Sequence, residues 1–176
     1  MIPEYLSVPF NIFLAEDDTD DCLFFKEALK EFSKSTELTV VHDGEELMQL
    51  LTNETTKLPD VLFLDLNMPR KNGFKCLSEI KCDNTLKQLT VIIYSTSFHN
   101  KIAAGLYDTG ASYYISKPFE ISKLKKVVQE IITFIAHEDF HQPSKETFLL
   151  TQERKNNKPF SWFSDFFIIP DSKNLN

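Results

Sequence analysis

Short apolar runs alternate with longer stretches in which apolar residues recur every three or four positions. The runs are Asn11 to Ala15, Leu38 to Val41, Val61 to Leu64, Thr90 to Tyr94 and Ser112 to Ile115. Each is too short for a buried helix and rich in β-branched or aromatic residues, so each reads as a strand. Between them, Cys22, Phe25, Ala28, Leu29 and Phe32 share one helical face, as do Leu47, Leu50 and Leu51. Phe74, Leu77 and Ile80 repeat that spacing, followed by Ile102, Leu106 and Tyr107, and by Leu124, Val127, Val128, Ile131 and Ile135. Thr19 or Asp20 is placed to cap the first helix, and Ser122 stands near the start of the last. Gly44 and Gly73 mark strand-to-helix turns, and Gly110 ends a helix.

Five strands alternating with five helices require a parallel sheet with crossover helices. The fold class expected is therefore α/β, a (βα)5 doubly wound parallel five-stranded sheet. The flavodoxin-like order 2-1-3-4-5 is one solution of that class, which periodicity alone does not select. In such sheets polar chemistry collects at the carboxyl ends of the strands. Here the first strand ends in Glu16-Asp17-Asp18, the third in Asp65, the fourth in Ser95-Thr96-Ser97 and the fifth in Lys117-Pro118.

Composition narrows the choice of chemistry. The net charge is -7, whereas a phosphate-backbone binder usually carries a basic face, so nucleic acid is not expected as a partner. Three cysteines, Cys22, Cys76 and Cys82, cannot pair completely and show no CxxC spacing, which suits reduced residues and a cytoplasmic address. No apolar run has the length of a membrane span, and the N-terminus lacks the pattern of a signal peptide.

Carboxylates converging at one rim repel one another unless a divalent cation sits among them. Hard oxygen ligands suit Mg²⁺. Lys117 adds a point charge suited to a phosphoryl oxygen, and Ser95 a hydroxyl donor. These are the parts of a phosphoryl-transfer site that works by positioning and charge neutralisation. Against this stand plainer readings: Asp18, Asp20 and Asp21 as a solvated helix start favoured by the helix dipole, and Tyr114 as a packing aromatic. His42, His99, His137 and His141 show neither a helical ligand pair nor nearby cysteines and read as surface or packing residues.

The segments FLAEDD, VLFLDLNMPRKNG, VIIYSTS and ASYYISKPF follow one another in an order and spacing that resemble the receiver domain of two-component response regulators. The resemblance covers residues 11 to 137, after a lead of residues 1 to 10 and before an extension of residues 138 to 176. It implies a stand-alone regulator, not an enzyme in the ordinary sense. In it, Asp65 accepts a phosphoryl group from a sensor histidine kinase or phosphotransfer protein in a Mg²⁺-dependent reaction. It further implies Asp17 and Asp65 as metal ligands, Glu16 acting through water, and Asn67 contributing its backbone carbonyl. Lys117 and Ser95 would contact the phosphoryl group. Ser95 and Tyr114 would form a switch that alters the face of the fourth helix, fifth strand and fifth helix for a downstream protein target.

Two departures from the family pattern carry expectations. Thr96 follows the switch hydroxyl where a small residue is usual, which implies slower exchange at Asp65. Ser95 replaces the commoner threonine and lacks the methyl that restricts its rotamer. An aspartyl phosphatase is disfavoured, because its second acid would stand where Asn67 is. A degenerate scaffold is disfavoured by the presence of Asp17, Asp65 and Lys117. The aromatic run from Pro159 to Pro170 would be a poor solvated linker. It reads equally as a strand or turn packed on its own domain and as a docking or homodimerisation arm.

Overall fold

The computed structural model describes residues 9–30, 36–96, 100–136 and 148–150. Strands β1 (Phe10–Ala15), β2 (Thr36–Val41), β3 (Val61–Leu64), β4 (Val91–Ser95) and β5 (Tyr113–Ser116) form a parallel sheet in the order 2-1-3-4-5. Every residue of β1, β3 and β4 is buried, as expected of strands covered on both faces.

Alternate side chains leave a strand on opposite faces, so each strand feeds two cores. Phe13, Leu62, Leu64, Ile93 and Tyr114 pack beneath helices α2 (Gly44–Thr52), α3 (Gly73–Cys82) and α4 (Asn100–Thr109). Ile12, Leu14, Phe63, Ile92, Tyr94, Tyr113 and Ile115 pack against α1 (Thr19–Leu29) and α5 (Ile121–Ala136). Phe25 of α1 meets Phe63 and Tyr94 edge-on, with ring centroids 4.9 and 5.5 Å away, an arrangement that favours the ring quadrupoles.

Helix starts follow side-chain caps. Asp18 caps α1 by accepting from the backbone N–H groups of Asp20 and Asp21 at 2.8 and 3.1 Å. The cap thus falls one residue before the expected Thr19 and two before Asp20, because Asp18 is the residue that keeps an extended backbone. Asp43 and Asn72 cap α2 and α3 in the same way. Ser122 is the second residue of α5. The described part of α1 ends at Leu29, and Phe32 lies outside the described residues.

A sixth strand, β6 (Leu149–Leu150), joins parallel to β5 with Leu149 opposite Tyr114 and Leu150 opposite Ile115. It belongs to the C-terminal extension and is too short for any periodicity to announce. It forms because a fifth strand at the sheet edge offers unpaired backbone groups. Phe148, only 3% exposed, enters the core beside α4, its ring edge-on to Tyr107 at 5.3 Å. The run from Pro159 to Pro170, on which the docking or homodimerisation arm was read, lies outside the described residues, as do His99, His137 and His141.

Candidate functional site

The sheet ladder continues one residue past several strands, which fixes the backbone of the residues just beyond. Glu16 donates its N–H to Val41 O at 2.9 Å, Asp65 to Ala15 O at 3.0 Å and Lys117 to Ser95 O at 3.0 Å. Strand order therefore brings together residues distant in sequence, and all the expected rim residues meet at one end of the sheet.

Glu16, Asp17 and Asp65 each present an oxygen within 4.8 Å of the others'. Asp17 is exposed, whereas Glu16 and Asp65 are 1% and 4% exposed. Lys117 Nζ lies 2.5 Å from Glu16 Oε2, 2.7 Å from Asp21 Oδ2 and 3.7 Å from Asp65 Oδ1. The contact with Glu16 is close in distance but poorly angled for a hydrogen bond, so charge is its main content. The ammonium also sits 5.3 Å from the centre of the Tyr94 ring, within reach of a cation–π contact.

Burial raises the Glu16 carboxyl to about 7, against the opposing pull of Lys117. For Lys117, burial lowers the affinity for its proton, but the hydrogen bond to Asp21 and the close negative charges of Glu16 and Asp65 outweigh it, and the group is held above its usual range. Lys117 faces three carboxylates, Asp17 adds a fourth to the rim, and an all-oxygen donor set of that charge fits a hard divalent cation such as Mg²⁺ or Mn²⁺.

The loop after β3 is shaped to carry Asp65. Asn67 N–H donates to Asp65 Oδ2 at 2.9 Å, and Gly73 N–H donates to Leu66 O at 3.1 Å. A β-carbon at Gly73 would overlap the Asp65 carbonyl, so only glycine lets α3 begin this close to Asp65. Arg70 has φ 59°, in the left-handed region, and its guanidinium pairs with the buried cap residue Asp43. That pair ties the loop to the start of α2.

Ser95 ends β4 on the same face of the sheet as Tyr114, while the neighbouring Tyr113 points to the other face. Both Ser95 and Tyr114 are fully buried. The Tyr114 phenol is raised by burial and eased by the nearby Ser95 hydroxyl, although that hydroxyl makes no fully formed hydrogen bond. Thr96, the next residue, is exposed at the rim. His42 is exposed, with its ring nitrogen Nδ1 3.1 Å from the Glu16 carbonyl, in keeping with a surface residue.

Two contributors escaped the sequence reading, Tyr94 and the Asp43–Arg70 pair, and a third, Asp21, was weighed there as a solvated helix start. Asp21 carried a signal, since it stands one helical turn beyond Asp17, where a side chain can face the same rim. Tyr94 gave none, because its apolar neighbours mark it only as a core strand residue.

Fold and rim together define a doubly wound α/β domain of the receiver class. Residues 12–129 match the response regulator receiver domain family. The chain is 32% identical over 130 residues to response regulator Rcp1 of Synechocystis sp., covering 72% of this chain and 88% of that protein. The crystal structure of the Mn(2+)-bound form of response regulator Rcp1 superposes with a TM-score of 0.66 at 31% identity, covering 77% of this chain and all of that one. The phosphorylated cyanobacterial phytochrome response regulator RcpA gives a TM-score of 0.68 at 35% identity over 78% of this chain and 100% of its own. The chain belongs to the response regulator receiver domain family of two-component signalling. Among the described residues, no helix is long and apolar enough to cross a membrane.

Proposed function

We propose that this protein is a phosphorylation-controlled switch of the cytoplasm, in which Asp65 receives a phosphoryl group from a sensor histidine kinase or phosphotransfer protein. The observation that carries the reading is the meeting of Asp65 with Glu16, Asp17 and Lys117 at one rim on hydrogen-bonded backbone. A carboxylate oxygen of Asp65 attacks the phosphorus of a phosphohistidine, the N–P bond breaks and the imidazole leaves with the electron pair. An acyl phosphate forms. Lys117 and the Ser95 hydroxyl hold phosphoryl oxygens, which favours the charge that spreads over them during transfer.

Asp17 and Asp65, with the Asn67 carbonyl and with Glu16 through water, are the residues that would hold Mg²⁺. The metal would supply positive charge against the phosphoryl oxygens. The Mn(2+)-bound form of Rcp1 and the phosphorylated RcpA support this reading by likeness. Movement of Ser95 toward the phosphoryl group changes the environment of Tyr114, and the face formed by α4, β5 and α5 passes the change to a protein target.

The test is incubation with Mg²⁺ and either acetyl phosphate or beryllofluoride, following a phosphoprotein band or a change in the spectrum of the fold. The expected outcome is a response in the native chain that Asp65→Asn abolishes. A response that survives that substitution would overturn the acceptor assignment.

A further inference from the structure

Asp21 has no part in the transfer outlined above, yet its Oδ2 accepts a hydrogen bond from Lys117 Nζ at 2.7 Å, while the nearest Asp65 oxygen is 3.7 Å from that nitrogen. Both partners of this contact are anchored. Asp21 lies in the first turn of α1, where its backbone N–H is held by the Asp18 cap. Lys117 has its backbone tied to Ser95. Only the lysine's flexible four-carbon stem is left to decide where the ammonium points.

We infer that Asp21 is a positioning residue for Lys117, holding its ammonium toward α1 until a phosphoryl group on Asp65 competes for it. The inference rests on the reading of Asp65 as acceptor. The two stronger partners of Lys117 differ in what their release costs. Glu16 is 1% exposed and cannot be rehydrated in place, whereas the Asp21 side chain is 36% exposed and water can replace the lysine there. The Asp21 pair is therefore the contact that opens. While it is closed, it subtracts from the stability of the phosphorylated form, because the same ammonium cannot fully serve both anions.

Beryllofluoride titrations in saturating Mg²⁺, on the full chain, test this with Asp21→Asn, Asp21→Glu and Asp20→Asn. Asp21→Asn is expected to bind the phosphoryl mimic more tightly by roughly threefold, the size set by a partly exposed ion pair. Asp21→Glu keeps the carboxylate and is expected to stay near the native value. Asp20→Asn removes the same charge from an exposed neighbour that makes no ion pair among the described residues, and is expected to change little.

An unchanged affinity in Asp21→Asn would overturn the inference. Equal tightening in Asp20→Asn would do so too, since net charge would then suffice, as would Asp21→Glu behaving like Asp21→Asn. Asp65→Asn, run alongside, separates the two claims. If the native chain shows no Asp65-dependent binding, the acceptor reading falls and takes this inference with it. If that binding is present and the Asp21 variants do not follow the expected order, the positioning role alone falls.

Discussion

Lys117 is the most contested charge of the rim, with Glu16, Asp21 and Asp65 all within 3.7 Å of its ammonium and the Tyr94 ring on another side. In the proposed function, a phosphoryl group arriving on Asp65 would enter a field in which its best cation is already engaged, and neighbouring side chains would set how long the product lasts. Thr96 is one of them. It is exposed directly beside Ser95, where its bulk would stand in the way of water approaching the proposed acyl phosphate. Thr96→Ala is expected to shorten the phosphorylated lifetime by a factor of a few, measured as loss of label after the phosphodonor is removed. An unchanged or longer lifetime would show that the threonine does not shield the site. The residue types of the rim were legible in the sequence because they stand at strand ends. Their pairings were not: that Lys117 leans on Asp21 depends on how α1 is set against β5, which no spacing encodes.

The strands were readable to within a residue or two, since all-buried runs such as Val61–Leu64 leave only one interpretation once bounded by polar turns. The cap of α1 was displaced by one or two residues, from Thr19 or Asp20 to Asp18, because five consecutive capping-type residues, Asp17 to Asp21, leave the choice to backbone geometry. The junction of β3 and α3 shows what a strand-to-helix turn demands when it also carries Asp65. Gly73 abuts the Asp65 carbonyl, and Arg70 adopts a left-handed backbone secured by buried Asp43. Gly73→Ala is expected to destabilise the domain by about 2 kcal/mol, the scale of forced overpacking, and to weaken phosphoryl acceptance by moving the loop. Urea denaturation and the acetyl phosphate assay check the two parts. A variant with native stability and native acceptance would show that the loop yields without cost.

The two cores lie on opposite faces of one sheet, and the described residues of the C-terminal extension reach the one beneath α4. Phe148 joins the core beneath α4 and stacks on Tyr107, and β6 then runs beside β5. The five-stranded body and its order agree with the fold class expected from the alternation of elements, but this sixth strand was invisible, since two residues carry no period. Phe148→Ala is expected to cost about 3 kcal/mol in urea denaturation, as for other buried aromatic truncations. A loss below about 0.5 kcal/mol, the size of ordinary surface substitutions, would mean that the extension does not support the domain. The same variant exposes Tyr107 on the face proposed to read out phosphorylation, so stability and signalling meet at this one contact.

Glu16, Asp65 and Lys117 are the last rungs of the sheet ladder, each tied through its N–H to the neighbouring strand. Machinery mounted on a rigid frame of this kind cannot relay a signal by sliding its frame, since that would break the rungs that define it. In the proposed switch, information leaving Asp65 would have to travel through parts that turn in place, side chains such as Ser95 and Tyr114 and the loops that follow the strands, while the sheet would serve as the fixed reference against which their motion counts.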